Sequence, residues 1–403
     1  MSLDKENILS KIKDGFSGIL QIWSDEVALS IKDPGTLVFF IIAPLLYPLV
    51  YSYLYNKEET PDVPLVVVDH SNTSFSREFS RMVDATKEVQ VVGKCISMEE
   101  AKKAIAERKA YGIMEIPKSF TKDVARTKQT SVHLYCDMTS LMYYKALLQG
   151  VTATSLKVNA NIQTQMVAGK TAREQELNAA PLKYKNIALF NTQNGYASYL
   201  VPGVLVLIVQ QMLLLGVGMA AGTMRDKNGG KRLIPGKEYC KGTLRNICGK
   251  SACYAMIWLL ASIFLFLVVP QLFDLPQLVH FTDSLSLIVP YVLACVFFAM
   301  TLSLLIKERE AVFVVFVFTS VIFIFASGMS WPWASMSSGW QTAVKVLPST
   351  FGIQGFLALN STGSSVANAS PYIIGLWIQT GIYFCTTYAL YRIEVRKTFS
   401  SID

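Results

Sequence analysis

Val201-Pro-Gly-Val-Leu-Val-Leu-Ile-Val-Gln-Gln-Met-Leu-Leu-Leu-Gly-Val-Gly-Met-Ala-Ala221 contains no charged side chain. A helix needs about 20 apolar residues to cross the ~30 Å hydrocarbon layer, and this stretch supplies them. Other charge-free windows of sufficient length run Pro34–Asn56, Ser251–Phe273, Ser284–Ile306, Ala311–Val344 and Val346–Tyr391. No water is available in hydrocarbon for unpaired backbone groups, so such windows cross as helices. Only 16% of the 403 residues are charged and 52% are hydrophobic, whereas soluble domains carry about 25% charge. The expected fold class is an α-helical polytopic membrane protein of six transmembrane helices with an inserted α/β domain outside the membrane.

The net charge of +8 does not indicate nucleic acid, because the basic residues are not gathered into one soluble patch. No cleavable signal peptide is expected, since the first apolar run starts near Leu37 behind a segment of both charge signs. In that segment, residues 1–33, Ile8, Ile12, Phe16, Ile19, Trp23 and Val27 recur at helical spacing. The pattern fits an amphipathic helix on a membrane surface or on another protein. Asp33-Pro34-Gly35 ends it, and the first spanning helix follows within 34–56.

Residues 57–185 carry about half of the acidic residues and alternate strand with helix, which implies a compact α/β unit followed by a helical stalk. Within it, Ser97-Met-Glu-Glu100 reads as a capping box. Residues 186–403 hold the other five spans, a basic loop at 222–250 and a segment at 330–370 rich in Pro, Gly, Ser and Trp. That last segment reads as short half-inserted helices. Basic residues alternate between successive short loops, which predicts both termini in the cytoplasm and 57–185 on the far side.

Ala168-Gly169-Lys170-Thr171 and Cys248-Gly249-Lys250-Ser251 resemble the end of a phosphate loop, but the glycine needed upstream is Thr164 or Leu244. ATP hydrolysis by this chain is therefore not expected, nor is any catalytic residue or bound cofactor. His70, His133 and His280 are scattered and no CxxC occurs, so a metal site is not expected. Cys95 and Cys136 share one domain and could form a disulfide. Lys307-Glu308-Arg309-Glu310 is a tight mixed-charge turn, suited either to docking a protein or simply to solvation. Gln210, Gln211, Asn191 and Asn194 are the polar groups of the second span and its outer entrance. They could bond between helices or line a substrate path.

The order of these pieces resembles the type-2 permeases of ATP-binding-cassette (ABC) exporters, in the drug- and lipid-exporting branch. The segment from Asp25-Glu26 to Lys32-Asp33-Pro34 resembles the family's entrance helix, and Ile42-Ala43-Pro44 its first span. Gly112-Ile-Met-Glu-Ile-Pro117 resembles the branch's external insertion. Tyr199-Leu-Val-Pro-Gly203 and Gly222-Thr223-Met224-Arg225-Asp226 resemble the start and end of the second helix, although Ala220-Ala221 replaces the acidic run common there. Gly328-Met-Ser-Trp331-Pro332 and Leu347-Pro348-Ser-Thr-Phe351 resemble the half-inserted outer helices.

The resemblance implies a separate ABC ATPase subunit that holds ATP-Mg, a homo- or heterodimer of permeases and a bacterial inner-membrane location. It also implies a periplasmic adaptor and an outer-membrane channel as companions. Glu26, Asp33, Gly222, Thr223, Arg225, Asp226, Lys307 and Glu308 would receive the ATPase stroke. Substrate, an apolar or amphipathic compound, would leave past Trp331, Pro332 and Pro348. Two other readings compete. One is a non-transporting receptor or scaffold using the outer domain. The other is an ion-coupled carrier, disfavoured by the lack of carboxylates within the spans.

Overall fold

The computed structural model describes residues 2–55, 60–126, 128–166, 190, 195–230, 232–306 and 308–400, with the side chains of 2–13 and 164–166 excepted. Asn191, Asn194, Lys307 and the Ala168–Thr171 motif lie outside the described residues, as does the helix expected near Ala172–Asn178. The chain forms two compact units, Met1–Asn56 with Gly195–Asp403, and Lys57–Asn194.

The first unit is helical. Helix α1 covers Ser2–Lys32, and α2 covers Pro34–Tyr55 with a π-helical stretch at Val38–Ile42. Pro34 opens α2, where its missing N–H costs nothing, and the Asp33 carboxylate caps the Thr36 amide at 2.9 Å. Helix α7 follows at Tyr196–Lys227, α8 at Thr243–Leu272, α9 at Phe281–Leu305, α10 at Ala311–Ala326, and α13 at Val366–Phe399. Two short helices, α11 (Ser338–Val344) and α12 (Pro348–Phe356), stand between α10 and α13.

Five of these helices, α2, α7, α8, α9 and α13, are long and apolar enough to cross a membrane. Six crossings were expected. The helix expected at Val312–Met329 runs instead over 16 residues, about 24 Å at 1.5 Å per residue. The basic loop is also shorter than 222–250, because α7 continues to Lys227 and α8 begins at Thr243. Arg225 and Lys250 are thus helical residues.

Helices α7 and α9 form the centre of the unit. Most of α7 is buried, and α9 packs on α7, α8, α12 and α13. In place of a lipid-like interface of large side chains, α7 brings small residues to its neighbours. A Cβ at Gly216 would strike the Phe40 ring of α2, and one at Gly218 would lie 2.7 Å from Val312. Phe40 in turn meets Tyr254 and Trp258 edge-on, with centroids 5.4 and 6.3 Å apart.

The second unit holds β1 (Val63–Asp69), α3 (Ser74–Asp84), β2 (Val89–Cys95), α4 (Met98–Ala106), β3 (Gly112–Ile116), α5 (Phe120–Ala125), β4 (His133–Cys136) and α6 (Leu141–Met166). The sheet order is β2-β1-β3-β4, parallel except for the edge strand β4. The register skips Val92, leaving a bulge opposite Leu65 and Val66. The capping box at α4 forms with a shift: Ser97 accepts from the Glu100 amide, and Glu100 reaches back to the Ile96 amide.

The structure bears on two readings of this unit. The first of the two helices read as a stalk, α6, also contributes to the domain core, where its Leu147 and Val151 pack with Leu65, Val67 and Met114. A Cys95–Cys136 disulfide is absent, because the residues lie on opposite edge strands. Three strand spacings of ~4.8 Å far exceed the ~7 Å Cα limit. Residues scattered in sequence do converge elsewhere. His70 and His133 lie 3.5 and 3.8 Å from the two oxygens of Glu115, which also accepts from the Tyr135 hydroxyl. That bond raises the Tyr135 hydroxyl above its ordinary range. Among the described residues, no group of three His, Cys, Asp or Glu could hold a metal ion.

Candidate functional site

One end of the helical unit collects the ends of α1, α7 and α9 and the starts of α2, α8 and α10. Charged side chains join them. Glu26 of α1 is 1% exposed, and its carboxylate lies 2.7 Å from the Lys250 ammonium of α8. The Tyr254 hydroxyl, one turn along α8, donates to the second Glu26 oxygen. A close approach lets α1 reach this position: a Cβ at Gly249 would lie 2.7 Å from Ile22. The Gly249-Lys250 pair that resembled a phosphate loop is therefore a helix-packing step followed by a buried ion pair.

The packed face of α1 differs from the stripe expected from its apolar residues. Ile22, Glu26, Leu29 and Ser30 are buried, as is Asp33 directly after the helix, whereas Phe16 is 63% exposed. Two carboxylates on the buried face hid it from a hydrophobicity reading. Burying a charge is costly unless it is paired, and here both are.

Asp33 is the second centre. Its carboxylate accepts from the Thr36 amide and hydroxyl, from the Thr223 hydroxyl of α7 at 3.2 Å, and from Arg309 at 3.2 Å. Burial alone would raise this carboxyl. The Thr36 hydrogen bonds, with Arg309 and Thr223, outweigh it and hold Asp33 below the ordinary range. Arg309 reaches the carboxylate across Gly222, where a Cβ would stand 3.0 Å from the Arg309 Cα.

A third contact is more exposed. Asp25 lies 3.1 Å from the Lys237 ammonium and accepts from the Tyr239 hydroxyl. Burial opposes the charge on Asp25, but these two partners prevail and lower its carboxyl. Tyr239 and Asp25 together raise Lys237.

Arg225 points the other way. Its guanidinium donates to the Ser303 carbonyl at 3.0 Å and to the Ile306 carbonyl, at the C-terminal end of α9. Those carbonyls have no partner within their helix and carry the negative end of its dipole, so a cation fits there. Asp226 and Glu308 are exposed and stand apart from the buried pairs.

Of the residues singled out from sequence, the fold joins Asp33, Thr223 and Gly222 at one point and places Glu26 and Arg225 nearby. It adds Lys250, Tyr254, Arg309 and Thr36, whose significance was not legible. Only the tight turn at 307–310 gave any sign of Arg309.

The residues expected along a substrate path occupy different positions. Gln210 is buried and accepts from the Ser349 amide of α12 at 2.6 Å, while neither polar atom of the buried Gln211 amide has a partner. Pro348 is buried at the start of α12, and Trp331 and Pro332 are exposed. The segment is fastened to its surroundings by side chains: Tyr199 donates to the Met329 carbonyl, Gln354 to Ser327, and Gln379 to Lys345. Gly328 takes a φ of +82°, and Gln354 fills the space where its side chain would stand.

No curated protein matches the sequence. A family model described as "ABC-2 family transporter protein" matches residues 34–389. That region takes in the helices α2 to α12 and most of α13, leaving out α1 and the end of α13, and includes the α/β domain. The chain is accordingly a member of the ABC-2 family, the type-2 permeases that form the membrane part of ABC transporters.

Proposed function

We propose that this permease exports an apolar or amphipathic compound, drug-like or lipid-like, from the cytoplasm or the inner leaflet. A separate ABC subunit hydrolyses ATP, and two permease chains form the pathway. In this reading both termini are cytoplasmic, α10 completes a sixth crossing with its flanking residues, and residues 57–185 lie outside. The membrane is a bacterial inner membrane, and the external domain meets a periplasmic adaptor and outer-membrane channel.

The observation that carries the proposal is the fastening of α1 to the ends of the spans through buried charges. Glu26 holds α8 through Lys250. Asp33 holds α7 through Thr223 and the start of α10 through Arg309. A force applied to α1 is thereby delivered to three membrane helices, with Arg225 linking a fourth. Glu26, Asp33, Gly222, Thr223 and Arg225 are the coupling residues in this scheme, and Asp226, Lys307 and Glu308 offer their charges to the ATPase. The uncharged spans favour a substrate without strong charge.

The test is efflux from cells expressing this chain with the ATPase that copurifies with it. Vanadate should stop export, and Glu26→Ala should reduce it. Transport by the purified chain with no nucleotide partner would sink the proposal. Cysteine labelling in intact cells near Glu99 checks the sidedness, with a cytosolic Glu99 as the contrary result.

A further inference from the structure

The break between α11 and α12 lies against two long helices, and each meets it with an amide side chain. Gln210 of α7 accepts from the Ser349 amide at 2.6 Å, satisfying one of the N–H groups that open α12. Gln379 of α13 donates to the Lys345 carbonyl at 2.6 Å, satisfying a carbonyl just past the end of α11. Each amide then has one half left over. Gln210 Nε2, Gln379 Oε1 and the Ser349 hydroxyl are buried without a partner. Gln210 is 1% exposed, Ser349 0% and Gln379 6%. The free Gln210 nitrogen is bonded to the same carbon as the oxygen that holds Ser349, so it sits at the mouth of α12.

A protein does not ordinarily leave several buried polar atoms unmet in one place. Here they offer donors and acceptors together, beside the positive end of α12 and the negative end of α11. The only charged residue between Ala311 and Tyr391 is Lys345, which is exposed and contributes its carbonyl. A hydroxyl or primary amide both gives and accepts hydrogen bonds and matches this set. An ammonium, phosphate or carboxylate matches half of it and brings a charge that nothing here balances.

We propose that the α11–α12 break binds the neutral, hydrogen-bonding headgroup of an amphipathic molecule, whose tail lies along the apolar surface of the spans. This rests on the exporter reading for the molecule's identity as cargo, but binding itself requires neither ATP nor a partner. Breaks in membrane helices lend themselves to such sites because their backbone ends face inward.

The test uses the full chain in phosphatidylcholine nanodiscs and a monoacylglycerol bearing a diazirine near its head. We expect label between Val344 and Thr350. Ser349→Ala leaves the backbone bond to Gln210 in place and should cut that labelling about tenfold, the effect of one lost hydrogen bond. Gln210→Leu should do the same or more, and Ser337→Ala, at an exposed hydroxyl, should leave it unchanged. Glyceryl laurate should displace the probe, whereas laurate and dodecyltrimethylammonium at equal concentration should not. Label confined to the exposed residues of α10, unchanged labelling in Ser349→Ala with an unaltered melting temperature, or equal displacement by the ionic competitors would each overturn the proposal. Vanadate-sensitive efflux could persist through any of these results, so the two readings fail separately.

Discussion

Lys250 and Glu26 meet at 2.7 Å across 224 residues of sequence, with both side chains closed to solvent. Their energetics are asymmetric. The pair offsets two desolvation costs, but either partner alone leaves a buried charge with nothing to balance it.

Glu26→Leu or Lys250→Met should therefore destabilise the chain by about 3–5 kcal/mol. The double variant should recover most of that loss. Thermal unfolding of the four proteins in one detergent, arranged as a double-mutant cycle, measures the coupling. Additive losses would show that the two groups do not depend on each other.

Asp33 gives a pH dependence. Its carboxyl is held below its ordinary value of 3.8 in the folded chain. An unfolded chain then takes up the proton first as the medium is acidified. The stabilisation is complete above the ordinary carboxylate range and is lost as pH falls through the lower, folded value. Between pH 7 and 5 the wild type and Asp33→Asn should differ by a constant amount. Below about pH 4 that difference should shrink, as followed by melting temperature against pH. Asp33→Ala also removes the cap of α2 and should cost about 1–2 kcal/mol more than a surface substitution.

The contact of Gly216 with Phe40 makes Gly216→Ala an overpacking change, expected to cost about 1–3 kcal/mol. Phe40→Leu on its own leaves a gap, yet combined with Gly216→Ala it should restore part of the loss. The same unfolding assay decides it.

Arg225→Lys should weaken the link between α7 and α9. A lysine can reach one carbonyl but cannot span Ser303 and Ile306 with one planar group. A loss of about 1–3 kcal/mol is expected, with the last turn of α9 exchanging its amide protons faster than in the wild type.

The opposite edges of the sheet predict that Cys95 and Cys136 are both alkylated by iodoacetamide in unfolded, unreduced protein. Mass mapping of the peptides reads this directly.

Five long apolar helices were legible because hydrocarbon excludes charge over a fixed length, which leaves a mark in any sequence that obeys it. The strands of the α/β unit were legible too, since Val63–Asp69 and Gly112–Ile116 are short apolar runs between turns. Their order in the sheet was not, because nothing local in Cys95 or Cys136 tells which strand lies between them. The buried face of α1 was misread for a related reason. Glu26 and Asp33 look like solvent-facing residues until Lys250 and Arg309 are brought to them, and the second of those lies 276 residues away. Helix boundaries near Arg225 and Lys250 were missed because charge marked the edge of hydrocarbon and was taken for the edge of the helix.

One residue separates α1 from α2, and that residue carries the carboxylate on which Thr36, Thr223 and Arg309 converge. A hinge built this way has no slack. Tilting α1 about Asp33 cannot be taken up by a flexible connector, so the motion must either carry the three partners along as one piece or strip them from the carboxylate together. Under the proposed coupling scheme the joint would act as a clutch, engaged while the carboxylate keeps its ligands and free once it loses them.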